Sequence, residues 1–219
     1  VNREGEKVIP FKYDNASTFI DGLANVQYGG KWGLINEEGF AIVPFDYTAI
    51  YHCMDTHKWI VEKNNKKGLL DLQGHVIVPC TYSYIGFYIC GLCSVQKNNK
   101  YGFIDADGKE VIPAEYDWSA RYFVGGKAIV SKEGRYFVID TQGKVVRNLD
   151  YKWVAENRFY KDWLLACYRG QEGVIDFKGD VVLPFAYQDI HEMEFDGYYK
   201  VRQNQKYGCL DGRLNEVIK

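Results

Sequence analysis

The chain has 219 residues, of which 47% are hydrophobic and 26% charged, so it is long enough and apolar enough to bury a globular core. Its formal net charge of -2 argues against a surface for nucleic acid or for an anionic membrane. Because no apolar run approaches the roughly 20 residues that span a bilayer, membrane insertion is not predicted either.

A hairpin pattern at residues 31–47, KWGLINEEGFAIVPFDY, returns along the chain. The later copies are KKGLLDLQGHVIVPCTY from residue 66, KYGFIDADGKEVIPAEY from 100, RYFVIDTQGKVVRNLDY from 135 and QEGVIDFKGDVVLPFAY from 171. Turn glycines recur at steps of 34 to 36 residues: Gly5, Gly39, Gly74, Gly108, Gly143 and Gly179. All five prolines share one phase, where Asn148 replaces the missing one: Pro10, Pro44, Pro79, Pro113 and Pro184. A tyrosine follows three residues later in every copy: Tyr13, Tyr47, Tyr82, Tyr116, Tyr151 and Tyr187. The chain is therefore predicted to consist of six repeats of about 35 residues.

Within a repeat, four short strands are predicted in chain order. One follows the tyrosine, as in YDNASTF from residue 13, and a second, such as LANVQYGG from 23, ends in a polar turn. The third and fourth form a hairpin, LINEEGFAIV from 34, whose Gly39 suits the left-handed conformation of a three-residue loop. A carboxylate or amide opens each of these turns, and an Asx-type bond to the backbone explains it better than a ring of metal ligands. These residues are Asn36, Asp71, Asp105, Asp140, Asp176 and Asp211.

A repeat of this size cannot bury its apolar face alone, so neighbouring repeats must stack. Four short antiparallel strands per repeat fit the blade of a compact β-propeller, and we predict this all-β fold, with an open β-solenoid as the alternative. Residues 1–219 are predicted to form a single repeat domain. Val1 falls at the phase of Ile35, midway along a strand, so we expect a fragment of a longer chain. Localisation, cytoplasmic or exported, therefore stays open.

Residues 21–47, DGLANVQYGGKWGLINEEGFAIVPFDY, resemble the bacterial WG-repeat family. Its repeats carry a Gly-Leu-Ala-x-Val strand, a Lys-Trp-Gly or Lys-Tyr-Gly step, an Ile-Asp turn with glycine and a Val-Ile-Pro-x-x-Tyr tail. The resemblance covers essentially the whole chain and implies an all-β array with binding or scaffold roles and no chemistry. The step is present as Lys31-Trp32-Gly33, Lys100-Tyr101-Gly102 and Lys206-Tyr207-Gly208, and without its aromatic as Lys66-Lys67-Gly68. The departures are Arg135-Tyr136-Phe137, Gln171-Glu172-Gly173, and Leu214 in place of the last turn glycine.

Residues that often carry chemistry do not converge on one place in the sequence. The six cysteines are scattered over the repeat, and CGLC at 90–93, on a predicted strand, has no second pair at zinc spacing. Packing is the favoured interpretation, and the thiols are expected to be reduced. His52, Asp55 and His57 have a spacing that suits a metal, but a polar turn is simpler because His57 occupies the phase of Gly22. No metal site, cofactor or catalytic residue is predicted, and we do not expect an enzyme.

The best candidate binding residues lie where the repeats stop agreeing. Two positions after the tyrosine, the repeats carry Asn15, Ala49, Tyr84, Trp118, Trp153 and Asp189. Three consecutive repeats place a large aromatic there, and we predict that Tyr84, Trp118 and Trp153 form a partly exposed binding strip. The alternative is that these rings fill gaps between repeats. The aromatic residues of the step are secondary candidates, although their recurrence favours a structural role: Trp32, Tyr101, Tyr136 and Tyr207.

These features predict a non-catalytic scaffold that binds another protein through preorganised, variable residues. A carbohydrate or cell-envelope binding module, in which aromatic rings stack on sugars, is the alternative. Asp117 and Arg121 beside Trp118 favour a glycan, whereas Ile85 and Val154 favour a protein partner, so the sequence leaves both open.

Overall fold

The computed structural model describes residues 9–53, 57–156, 163–193 and 197–218. Within these ranges the chain consists of β-strands and turns and has no helix, which confirms the predicted all-β class. In this part of the chain we find no helix with the length and apolarity needed to cross a membrane.

The strands form six four-stranded antiparallel sheets, one for each predicted repeat. Sheet 1 contains β1 (Asn15–Ala16), β2 (Leu23–Tyr28), β3 (Lys31–Asn36) and β4 (Ala41–Tyr47). Sheet 2 contains β5 (Ala49–Cys53), β6 (Lys58–Lys63), β7 (Lys66–Leu70) and β8 (Val76–Tyr82). Sheet 3 contains β9 (Tyr84–Ile89), β10 (Leu92–Lys97), β11 (Lys100–Asp105) and β12 (Glu110–Tyr116). Sheet 4 contains β13 (Trp118–Ser119), β14 (Lys127–Lys132), β15 (Arg135–Asp140) and β16 (Val145–Leu149). Sheet 5 contains β17 (Trp153–Glu156), β18 (Trp163–Tyr168), β19 (Gln171–Asp176) and β20 (Val181–Tyr187). Sheet 6 contains β21 (Asp189–Glu192), β22 (Tyr199–Gln203), β23 (Lys206–Leu210) and β24 (Glu216–Ile218).

Within every sheet the strands neighbour one another in chain order, which is the topology of a β-propeller blade. The predicted propeller-type fold of six four-stranded repeats is thus confirmed. The chain divides into two compact units, Val1–Ala114 with sheets 1 to 3 and Glu115–Lys219 with sheets 4 to 6, and β12 ends just past the boundary.

The core of each unit lies between consecutive sheets. Leu70 packs between sheets 1 and 2, whereas the preceding Leu69 packs between sheets 2 and 3. Because neighbouring residues of a strand point to opposite faces, a sheet covered on both faces needs consecutive apolar residues in its middle strands. In the second unit, Val174 and Ile175 divide in the same way between the two core clusters. Burial of each of these side chains stabilises the folded state by about 1.5–3 kcal/mol.

The turn chemistry expected from the sequence is present. Gly39 and Gly108 have φ values of 84° and 77°, in the left-handed region that favours glycine. The Oδ1 atom of Asp105 accepts hydrogen bonds from the N–H groups of Asp107 and Lys109, at 3.0 and 2.9 Å, which is the Asx-type pattern. The carboxylates that open these turns therefore have a structural role.

The glycine of the Lys-aromatic-Gly step is required by a close approach of two strands. In sheet 1, Trp32 pairs with Tyr47 but Leu34 pairs with Val43, so the fourth strand bulges opposite Gly33. A Cβ atom on Gly33 would lie 2.7 Å from the carbonyl oxygen of Val43. Sheets 2 and 5 have the same register shift, and Gly68, Gly102 and Gly173 face backbone carbonyl oxygens in the same way.

Sheet 4 departs from this pattern, and the departure explains two sequence anomalies together. Its third strand keeps a continuous register through the step position, where Phe137 pairs with Asn148 and Val138 with Arg147, so no bulge forms there. The register shifts only further along, between Val138 and Ile139. Without a bulge, Phe137 can replace glycine, and Asn148 can replace proline because its N–H can join the ladder. The fourth strand then ends at Leu149, two residues before Tyr151, the tyrosine that recurs from repeat to repeat.

Candidate functional site

The primary and secondary candidate residues lie on one face of each sheet. In sheet 4, Trp118 pairs with Ser131, which pairs with Tyr136 on the third strand. Since residues directly opposite each other point to the same side of a sheet, the three form one cross-strand row. The equivalent rows of sheets 3 and 5 are Tyr84, Gln96 and Tyr101, and Trp153, Cys167 and Glu172.

Trp118 packs against the core between sheets 4 and 5. Its ring is half-buried and meets the ring of Tyr136 edge to face, with centroids 6.1 Å apart and planes at 66°. Tyr136 packs against the same cluster. Both rings therefore contribute to the contact between two sheets as well as to the surface beside it.

Trp153 and Tyr84 are also half-buried. The row of Trp153 faces sheet 6, because the Glu172 carboxylate in that row accepts a hydrogen bond from the Ile190 N–H at 2.7 Å. Tyr84 belongs to the first unit and lies over Gly86. That these two residues and Trp118 bind a partner as one strip stays a prediction.

The step aromatics occupy different environments. Trp32 packs against the core between sheets 1 and 2, and Tyr101 is half-buried opposite Gln96. Tyr207 is 60% exposed, and the Lys200 ammonium lies 4.4 Å from its ring centroid. A shared sequence position therefore does not give these rings a shared exposure.

A cleft of about 260 Å³ between sheets 4 and 5 was missed by the sequence analysis. Three rings line it, those of Tyr151, Tyr168 and Phe185. The three rings contact one another, with centroid distances of 5.3 Å from Phe185 to Tyr151, 5.8 Å from Phe185 to Tyr168 and 6.4 Å between the two tyrosines. The remaining lining residues are Val181 and the segment 147–150, so the cleft includes the part of sheet 4 that differs from the other sheets.

The polar groups of this cleft are held in place. The Arg147 Nη1 atom donates to the Asp180 carboxylate at 2.7 Å and to the Lys178 carbonyl at 3.1 Å. The Tyr151 hydroxyl donates to the Gly179 carbonyl at 3.2 Å, and burial raises the pKa of this phenol, which therefore stays protonated. The cleft thus presents fixed rings beside a guanidinium that is already paired.

The first unit has a matching cleft of about 200 Å³ between sheets 1 and 2, and it is less aromatic. Tyr47 stands where Tyr151 does, but Lys63 and Cys80 replace Tyr168 and Phe185. Of the two sequence departures in sheet 4, Asn148 lines the aromatic cleft, and Phe137 pairs with it across the sheet.

The six cysteines carry thiols, and two of them occupy contrasting environments. The prediction that CGLC lies on one strand is wrong, because Cys90 is in the turn before β10 while Cys93 is within it. Cys90 is exposed. Cys93 is buried, its Sγ donates to the Gly86 carbonyl at 3.2 Å, and burial raises its pKa to about 12.

We expect iodoacetamide to alkylate Cys90 in the native chain and to leave Cys93 unmodified until the chain unfolds. The reason is that the thiolate is the reactive form of cysteine. Burial of Cys93 disfavours the thiolate and also keeps the reagent away from the sulfur. Peptide mapping by mass spectrometry measures the order of labelling. Equal labelling rates would contradict this expectation, and labels gained in pairs only after reduction would reveal a disulfide.

Comparison with known proteins bears on the fold and the family. A crystal structure of a eukaryotic initiation factor superposes with a TM-score of 0.51 and 10% identity, over 94% of this chain and 64% of that chain. Hsv2 from Kluyveromyces lactis gives 0.46 and 14%, over 94% and 73%, and the dihydro-heme d1 dehydrogenase NirN gives 0.43 and 11%, over 94% and 55%. These structures are β-propellers, and at such low identity the first likeness shows the fold alone. No curated protein sequence matches this chain.

The sequence itself matches the family model described as WG containing repeat. The matched residues are 1–32, 68–101, 101–136 and 173–207, which together make up more than half of the chain. The matches include step residues whose structural need for glycine is explained by the strand approach at Gly68, Gly102 and Gly173. The chain therefore belongs to the family of WG containing repeats.

Proposed function

We propose that the chain is a non-catalytic scaffold that binds another protein, and that its binding site is the aromatic cleft between sheets 4 and 5. The repeat architecture supports a scaffold, because rigid stacked sheets lose little conformational entropy when a partner binds. The observation that carries the proposal is the cleft, in which Tyr151, Tyr168 and Phe185 are already clustered.

The cleft has the composition of a protein-binding hot spot. Tyrosine and arginine are enriched at such sites, and a preformed pocket lets a partner anchor exclude water from them. A volume of about 260 Å³ accommodates one or two side chains of a partner. The ion pair of Arg147 with Asp180 at the rim stays partly exposed, so its two charged groups can orient a partner without complete burial.

The ring geometry favours an apolar anchor over a sugar. Sugar stacking needs an open ring face with hydrogen-bond groups beside it. Here Phe185 is tilted by 35° to Tyr151 and by 58° to Tyr168, so the rings pack against one another and form walls instead of a flat platform. The Arg147 guanidinium is already bound to Asp180. The Arg169 guanidinium lies 5.0 Å from the centroid of the Tyr168 ring and covers that ring face.

Selection of peptides from a random display library on the immobilised chain tests the proposal, with a glycan array probed in parallel. We expect enriched peptides with a shared apolar or aromatic anchor. Tyr168→Ala should weaken the best peptide at least about 30-fold in calorimetry, because it removes one wall of the cleft.

Tyr28→Ala is the matched control, because Tyr28 holds the same place in a second trio, with Tyr13 and Phe45, in the first unit. It should leave peptide affinity unchanged. Binding of glycans in place of peptides, or equal loss in both variants, would reject the cleft as a protein-binding site. In the same assay, Trp153→Ala tests the predicted strip.

A further inference from the structure

Two histidines and a carboxylate converge at a corner between sheets 1 and 2. Asp21 lies in the turn before β2, His52 lies on β5, and His57 lies in the turn before β6. The Asp21 Oδ2 atom is 3.2 Å from His57 Nδ1 and 3.9 Å from His52 Nε2. One ligand atom from each residue lies within 4.8 Å of the other two. Stacking of two repeats thus assembles a group that neither repeat contains alone.

His52 is buried without the partners that a buried imidazole needs. Its side chain is 5% exposed, and neither ring nitrogen has a hydrogen-bond partner among the described residues. Its ring packs edge to face on Trp59, with centroids 4.9 Å apart. Unpaired buried nitrogens are costly, so a nitrogen aimed at Asp21 and His57 calls for a ligand.

His57 is also unusual for its place in the repeat. The same corner carries Gly22, Gly91, Gly126 and Gly197 in other sheets, each with positive φ. His57 adopts a φ of 50° there, a conformation that glycine reaches at lower cost. The fold alone therefore favours glycine at position 57, and the histidine needs another explanation.

We propose that Asp21, His52 and His57 bind one divalent transition-metal ion of the Zn²⁺ class, with a fourth position open to water or to a partner group. Imidazole nitrogens and a carboxylate oxygen are zinc ligands, whereas Ca²⁺ and Mg²⁺ prefer oxygen alone. Around a tetrahedral zinc ion the ligand atoms lie about 3.3 Å apart. The two distances from Asp21 are close to this value, and the His57 side chain, 67% exposed, has room to move inward.

Sequence reasoning had grouped His52 and His57 with Asp55, which lies outside the described residues. Asp21 was missed because it comes from the preceding repeat, 31 positions before His52. The histidine site belongs to the first unit and the aromatic cleft to the second, so each proposal can be tested independently of the other.

The test titrates ZnCl₂ into the EDTA-treated, dialysed chain in a calorimeter and records the visible spectrum with CoCl₂. We expect one ion per chain, an intense cobalt band typical of four-coordination, and no comparable binding of MgCl₂ or CaCl₂. Zn²⁺ should also raise the melting temperature, because the three ligands come together only in the folded chain.

Two variants decide the assignment. His57→Gly removes a ligand while restoring the residue found at this corner of sheets 1, 3, 4 and 6, so the variant should fold, and its zinc affinity should fall at least about tenfold. His75→Ala is the control, because His75 pairs with Asp71 at 3.0 Å but has no second histidine there. Equal zinc affinity in His57→Gly and the parent, or no saturable binding to the parent, would overturn the proposal.

Discussion

Replacing Gly102 with alanine is expected to lower the free energy of unfolding by about 3 kcal/mol. The added Cβ would lie 2.5 Å from the Ile112 carbonyl oxygen, 2.6 Å from the Ala114 nitrogen and 2.8 Å from the Ala114 Cα. All three atoms are backbone, so no side-chain rotation relieves the clash. The fourth strand of sheet 3 would have to move away from the third and break the hydrogen bonds between them. Urea denaturation followed by circular dichroism measures the loss.

Gly30→Ala is the matched control for this substitution. Gly30 lies in the turn between β2 and β3 with a φ of 76°, and an added Cβ would meet nothing within 4 Å. Gly30→Ala should lower the free energy of unfolding by only about 1 kcal/mol, because alanine adopts the left-handed conformation less readily than glycine. If the two variants lost equal stability, close strand approach would not be the reason for glycine in the step.

The fold was predictable because its signals are local and repeated. Turn residues such as Gly39 and strand-end residues such as Tyr47 return at a fixed spacing along the chain, so four strands per repeat followed from the sequence. The sequence did not explain why the Lys-aromatic-Gly step needs glycine, because the explanation depends on the register between the third and fourth strands. Only the pairing of Leu34 with Val43 shows that a bulge passes over Gly33.

The sites were less predictable, because each is assembled from separate repeats. Tyr151 and Phe185 come from different repeats, as do Asp21 and His52, and spacing within one repeat does not bring such residues together. The anomalies at Phe137 and Asn148 were visible in the sequence but looked unrelated. Their direct pairing across two strands shows that one change of register accounts for both.

Variation between repeats also proved a weak guide to exposure. The position of Trp118 varies from Asn to Trp, which suggested freedom from packing. Its cross-strand partner varies as well, and the large Trp118 ring lies opposite the small, buried Ser131. A row can therefore keep its packed volume while its members change, so a variable residue can still belong to the core.

We expect Trp118→Ala to lower the free energy of unfolding by about 2 kcal/mol. The ring is half-buried and packs against the cluster between sheets 4 and 5, so its removal exposes apolar surface and loses the edge-to-face contact with Tyr136. Thermal and urea unfolding of the parent, Trp118→Ala, Tyr136→Ala and the double variant measures both the loss and the coupling. The coupling free energy between the Trp118 and Tyr136 rings, obtained from this double-mutant cycle, should be about 0.5–1.5 kcal/mol.

The result also decides what Trp118 does in binding. A loss of this size places the ring in the contact between sheets, and weaker partner binding by the variant would then follow from a disturbed sheet 4. Unchanged stability would contradict the packing argument and leave the ring available to a partner, as the predicted strip requires. Trp153→Ala separates the cases further, because Trp153 lies in the equivalent row of sheet 5 opposite Cys167. If Trp153→Ala weakens binding while stability is kept, the strip binds through the row of sheet 5, and Trp118 supports it from within the fold.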